Sequence, residues 1–340
     1  MAESAQASHL PLSAETISSL RGRSLFVTGC GYVGSVVAIE ALRLGLEVVA
    51  LTRNAATAST LGAAGVKPIV ADLASDSWHR ELRSAPDFVL NCVSSGGGGV
   101  DGYRRSYLNG MQSLLRWARA VGGVETIVYT SSTSVYSDGG GRRVEETALD
   151  PIAVARHPAV VGTAANSAME ARLFAVDRRE ILRATERELV QAGDACGRWF
   201  VLRLAGIYGP SRHGLLDQVR SGEASGSGET HLNLAHRDDI ASAILECFGA
   251  PVDVRNQAFN VADDQPTRKA EVVTWLAAQL GCPMPRFSGT AAAGRTRLTP
   301  DRLISNAKLK AILGWRPRFP SYREGYQAIL RDGGATSAVS

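Results

Sequence analysis

No stretch of the 340-residue chain is apolar over the length that crosses a bilayer. The first 20 residues hold Glu3 and Glu15 but no lysine or arginine. That pattern fits neither a secretory signal nor a transit peptide. A long basic block is also missing. With Lys+Arg 37 against Asp+Glu 33, the net charge is only +4, which argues against a nucleic-acid partner. Cysteine is sparse: Cys30, Cys92, Cys196, Cys247 and Cys282 are odd in number, widely spaced and form no C-x-x-C. A disulfide framework and a metal site are therefore not expected, and the compartment is read as reducing and cytoplasmic. Cys30, Cys92 and Cys247 lie in apolar runs, where a free thiol behaves as a small hydrophobe.

What remains is an ordinary α/β composition, 45% hydrophobic and 21% charged. Short β-rich runs at 24–28, 47–51, 67–70, 87–92 and 126–130 alternate with helical stretches at 33–44, 57–65, 76–83 and 103–121. Such alternation predicts a doubly wound parallel sheet of Rossmann type with helices on both faces. A helix over 166–191 and a strand over 199–204 follow. Beyond them the pattern loosens into Gly-rich turns, helices near 237–248 and 268–280, and a strand near 258–261. The expected organisation is an N-terminal tail (1–20, loose or docked as a short helix near 13–20) and a dinucleotide-binding domain (21–205). A smaller C-terminal α/β substrate lobe (206–332) and a tail (333–340) complete it.

The sharpest motif is Thr28-Gly29-Cys30-Gly31-Tyr32-Val33-Gly34. An apolar strand precedes it and an apolar helix follows, the setting that G-x-G-x-x-G needs to bind a dinucleotide. Gly29 allows the tight turn, Gly31 the approach of a pyrophosphate, and Gly34 close helix–strand packing. Tyr32 and Val33 lie between them, and the helix N-terminus faces the phosphates. The second strand ends Leu51-Thr52-Arg53-Asn54, without the acid that binds a ribose 2′-hydroxyl. Arg53 could instead clasp a 2′-phosphate, which favours NADP over NAD. Asp72 is placed either at the adenine amino group or as a helix cap.

These residues, with further segments in order, resemble the extended short-chain dehydrogenase/reductase family, which contains the NAD-dependent epimerases and dehydratases. Tyr107-Leu108-Asn109-Gly110 is similar to its helix-four Asn motif. Ser131-Ser132-Thr133-Ser134-Val135-Tyr136 is similar to S-S-x-x-V-Y. Arg203 to Pro210, His236 to Ile240, Phe259-Asn260-Val261 and Leu313-Gly314-Trp315-Arg316-Pro317 match the later segments. The resemblance implies a Rossmann fold, an active-site Ser132 or Thr133, Tyr208 as a packing position near the nicotinamide, and a sugar-like, possibly nucleotide-sugar, or carbonyl substrate. It also implies a homodimer through two Rossmann helices, an expectation weakened by the altered fifth helix. One departure is large. The family's Y-x-x-x-K is absent, because no tyrosine lies between Tyr136 and Tyr208 and no lysine between Lys67 and Lys269. An apparent insertion near 156–175 precedes the helix, and Arg178 takes the tyrosine position. The pattern is similar to the atypical, YeeZ-like members.

Without that pair a proton donor must come from elsewhere. Ser132 and Thr133 can hydrogen-bond a substrate oxygen, and Tyr103, Tyr107 or Asp101 could supply the acid. Arg178 could hold a developing oxyanion but cannot give up a proton. Each has a plainer reading: Tyr103 and Tyr107 as packing, Arg178 as a solvated helix face, and His236 with Asp238 and Asp239 as a helix start. The leading expectation is an NADP-dependent oxidoreductase or epimerase/dehydratase with a small-molecule substrate and no membrane or nucleic-acid partner. The alternative is an NADP-binding regulator or scaffold that has lost catalysis.

Overall fold

Apolar residues on the strands are buried on two sides at once, which forces the central layer to be a sheet covered by helices on both faces. A computed structural model describes residues 10–148, 167–289 and 300–336, the side chains of 167–177 and 332–336 excepted. Seven parallel strands form the main sheet: β1 (Ser24–Thr28), β2 (Glu47–Thr52), β3 (Lys67–Val70), β4 (Phe88–Asn91), β5 (Val124–Ser132), β6 (Cys196–Leu204) and β7 (Gln257–Val261). Their spatial order is β3-β2-β1-β4-β5-β6-β7. The order reverses between β1 and β4, where a doubly wound sheet opens its ligand crevice.

The period-two alternation of a strand sorts side chains between two cores. Leu25, Val27, Leu90 and Val128 face one core with Val37, Ile244 and Phe248. Phe26, Val89 and Ile127 face the other with Trp78, Leu114 and Trp117. Phe26, Trp78 and Trp117 pack with ring centroids 5.3–5.4 Å apart. A third core, with Leu216, Val272, Leu276 and Tyr326, is built from the second half of the chain. That half also completes the main sheet, since β7 comes from it and pairs with β6.

Residues Ala14–Leu20 form a helix capped by Ser13. It docks on the helix Arg237–Gly249: Thr16 donates to Glu246 at 2.6 Å, and Leu20 is fully buried. Two expected helices differ. The stretch 76–83 is a 3-10 turn, Asp76–Arg80, capped by Ser75. The stretch 103–121 begins earlier, at Gly99–Tyr103, and passes through a π-helical segment, Arg104–Asn109, before Gly110–Ala120. Of the insertion near 156–175, residues up to 166 lie outside those described, and a helix runs from Ser167 to Val190. Among the described residues no helix is long and apolar enough to cross a membrane.

Candidate active site

The three glycines of the first loop meet three different constraints. Gly29 has φ +80, and a Cβ there would lie 2.5 Å from the Cys92 carbonyl oxygen at the end of β4. A Cβ on Gly34 would lie 2.5 Å from the Gly29 carbonyl oxygen, so the helix Gly34–Arg43 starts hard against the loop. A Cβ on Gly31 would meet nothing within 4 Å. The loop is thus crowded behind and open in front, over the N-terminus of a ten-residue helix. Val33 is the buried N-cap position of that helix. Tyr32 leans across the crevice, its hydroxyl donating to the Pro210 carbonyl at 2.8 Å, with the Arg212 and Arg237 guanidinium groups over its ring at 5.5 and 5.2 Å. Cys30 and Cys92 also line the crevice. Burial pushes both thiols up, to about 12 and about 11, and Cys92 adds to the shift at Cys30. Both are therefore neutral and put no negative charge where a phosphate would sit.

At the other end of the crevice Arg53 follows β2 and is exposed. It lies against a second glycine run, Gly96 to Gly99 after β4, where a Cβ on Gly96 (φ +62) would overlap its guanidinium. Asp72 holds its own turn, Oδ1 accepting from the Ala74 N–H at 2.9 Å and Oδ2 from Arg105 Nε at 2.8 Å. Partial burial works against its charge, but the Ala74 N–H, Arg105 and Arg53 outweigh it and hold the carboxyl below its ordinary range. Asp72 thus holds its own turn and also lines the cavity.

The opposite wall carries the candidate chemistry. Ser132, at the end of β5, caps the 3-10 turn Thr133–Val135 by accepting from the Ser134 N–H at 3.1 Å. Thr133 is buried beside it. Facing them, the π-helical segment brings the Tyr103 and Tyr107 rings to 4.8 Å from each other. Arg178 Nη2 donates to the Tyr103 hydroxyl at 2.8 Å, and its guanidinium lies 4.3 Å from the ring centroid. Burial raises the Tyr107 hydroxyl above its ordinary range, with Tyr103 adding to the shift. The structure thus brings Ser132, Thr133, Tyr103, Tyr107 and Arg178 to one cavity.

Other expected residues lie elsewhere. Asp101 is exposed and does not line the cavity. Tyr208 reaches the cavity wall, but its ring packs on Tyr326 and on His236, and a Cβ on Gly325 would overlap its hydroxyl, which is buried without a hydrogen-bond partner. It is a packing residue that also lines the cavity. His236 caps the helix Arg237–Gly249, its Nδ1 accepting from the Asp238 N–H at 3.3 Å.

Several motif residues prove to form one buried network instead of a reaction centre. Ser131 donates to Glu186 Oε1 at 2.6 Å. Glu186 takes a two-pronged bond from Arg203, Nε–Oε1 3.1 Å and Nη2–Oε2 2.8 Å. Arg203 also donates to Tyr136, which donates to Asn260 Oδ1 at 2.6 Å. The network ties β5, β6, β7 and the helix Ser167–Val190 together beneath the cavity, and Glu186 was not singled out in the sequence.

The cavity has a volume of about 1320 Å³ and runs from Arg53 past the glycine loop to Tyr326 of the third core. Among the described residues, five lining side chains are cationic types, Arg53, Arg178, Arg212, Lys269 and Arg302, against one carboxylate, Asp72, which is already paired. A cavity of this balance suits anionic ligands.

Residues 25–159 match the NAD dependent epimerase/dehydratase family. The chain is 31% identical over 153 residues to a 3-diazoavenalumate denitrifying reductase of a Streptomyces species, 40% of this chain and about half (48%) of that protein. It is 24% identical over 306 residues to protein YeeZ of Escherichia coli K12, covering 88% of this chain and 97% of YeeZ. The solved structure of MoeE5 with UDP-glucuronic acid and NAD shares the fold, with a TM-score of 0.67 at 22% identity over 89% of this chain and 96% of that one. Residues 25–159 thus match the NAD dependent epimerase/dehydratase family, and YeeZ is similar over most of both chains.

Proposed function

We propose that the protein is an NADP(H)-dependent oxidoreductase or epimerase/dehydratase acting on a sugar-like or carbonyl substrate. The observation that carries this reading is the single cavity that joins the glycine loop to the Tyr103–Arg178 pair and Ser132. Gly29, Gly31 and Gly34 would cradle the pyrophosphate, and Arg53 would take the 2′-phosphate. A bound dinucleotide supplies or accepts the hydride. Ser132 orients a substrate oxygen. Tyr103 exchanges a proton with it, and the Arg178 N–H held on the Tyr103 oxygen stabilises negative charge there as the proton leaves. This arrangement places a tyrosine and a cation together although Y-x-x-x-K is absent from the sequence. The MoeE5 complex and the Streptomyces reductase support a dinucleotide-linked activity of this kind.

The same absence favours the second reading, a dinucleotide-binding regulator without catalysis. Substrate screening for NADPH oxidation separates the two. Once an activity is found, Tyr103→Phe, Arg178→Met and Ser132→Ala are each expected to lower turnover by about 10²-fold or more, the range of a general acid or an oxyanion donor, with NADPH affinity kept. Unchanged turnover in all three removes this wall from the mechanism.

A further inference from the structure

Arg302 is 7% exposed and lines the cavity. Its Nη1 donates to two carbonyl oxygens, Thr133 and Tyr136, each at 2.8 Å. These carbonyls bracket the 3-10 turn that follows Ser132, so the guanidinium is fixed to the turn that carries the reacting end of the site. Its backbone is fixed as well: Asn233 Nδ2 donates to the Arg302 carbonyl at 2.9 Å, and Asn233 Oδ1 accepts from Ile304 at 2.7 Å. No carboxylate among the described residues pairs with this charge, and its Nε is buried without a hydrogen-bond partner. Asp138 acts on the charge from a distance without forming an ion pair, its Oδ1 accepting from the Gly140 and Asp301 N–H groups, and Asp301 is held by His231. Arg203, by contrast, the other buried arginine near this turn, has its own acid in Glu186. Burying a guanidinium is costly unless it is paired, and two carbonyls brace a turn without neutralising a charge. Burial, with Arg179 adding to it, lowers the Arg302 group to about 10, which leaves it a cation at neutral pH.

We propose that Arg302 is the seat of a carboxylate carried by the substrate close to its reacting carbon. A guanidinium with one nitrogen already committed to carbonyls matches a single planar anion better than a clustered polyphosphate site. The proposal deepens the functional reading above and rests on this cavity being the substrate site. It narrows the substrate from sugar-like or carbonyl compounds to sugar acids or keto and aldehyde acids.

The test uses the full chain, with D-glucuronate against D-glucose and benzoate against benzyl alcohol. Each is titrated by thermal shift at matched ionic strength, with inorganic phosphate as a further arm. The carboxylates are expected to raise the melting temperature in a saturable way and the uncharged partners are not. Arg302→Met is expected to lose the carboxylate response by at least tenfold in concentration, Arg302→Lys to keep part of it, and both to keep NADPH binding. A carboxylate response no larger than that of the neutral partners overturns the proposal, and so does a response unchanged in Arg302→Met. An Arg302-dependent response to phosphate alone overturns the carboxylate assignment. If Arg302→Met does not fold, the wild-type comparison and Arg302→Lys decide. Loss of NADPH binding in the wild type, with the carboxylate response intact, would fail the dinucleotide reading and leave the carboxylate seat standing.

Discussion

The three glycines of the first loop should fail in three different ways when each is changed to alanine. At Gly29 the new Cβ would stand 2.5 Å from the Cys92 oxygen and the backbone has φ +80. Left-handed backbone costs an L-residue about 1–2 kcal/mol and overpacking about 1–3 kcal/mol, together roughly 2–5 kcal/mol of fold stability. At Gly34 only the crowding against the Gly29 oxygen applies, about 1–3 kcal/mol. At Gly31 a Cβ meets nothing, so stability should change by less than about 0.5 kcal/mol. The open side that tolerates this methyl is the side from which a pyrophosphate would reach the helix N-terminus. Displacing it from one charge-assisted N–H bond costs about 1.5–3 kcal/mol, roughly 10- to 150-fold in affinity. Chemical denaturation and NADPH fluorescence titration on the same preparations read both quantities. Gly31→Ala with native stability and native affinity would refute the pyrophosphate assignment. Gly31→Ala that unfolds would refute the reading of an open face.

Arg53→Asp should weaken NADPH binding more than tenfold and leave NADH binding unchanged or improved; equal losses for both would remove Arg53 from the 2′-phosphate. Glu186→Gln leaves the Arg203 charge buried without its acid, and stability should fall by about 3 kcal/mol or more in denaturant unfolding; a loss under about 1 kcal/mol would make the network incidental. Asp239 is pushed up to about 7, chiefly by burial, although Arg318 and Phe319 N–H groups oppose the shift. Its raised folded value means that its contribution is fully present below the unfolded carboxyl range and is lost as pH rises toward 7. Wild type should therefore lose stability relative to Asp239→Asn between about pH 4 and 7, and a pH-independent difference in unfolding midpoints would count against it.

The main sheet was legible because β1, β4 and β5 are short apolar runs punctuated by glycine, and burial on both faces leaves little else for such runs to form. The glycine loop was legible for the same local reason. The reacting wall was only half legible. Tyr103 and Tyr107 were visible as a pair, but their approach to Arg178 depends on a π-helical segment that no spacing rule announces and on a helix that starts about 60 residues later. For Tyr208 the motif fixes the strand and the loop but not the direction of the hydroxyl. Glu186 served only to align its helix with the family and Arg302 gave no signal: each is an ordinary charge in its own segment, and only long-range packing makes one a buried partner and the other a buried cation without an acid.

The most direct measurement is a fluorescence titration of the purified full chain with NADPH and with NADH. Saturable binding of NADPH, at least tenfold tighter than NADH, is the expected result. Absence of binding by either dinucleotide would contradict the central claim that the open glycine loop is a working cofactor site.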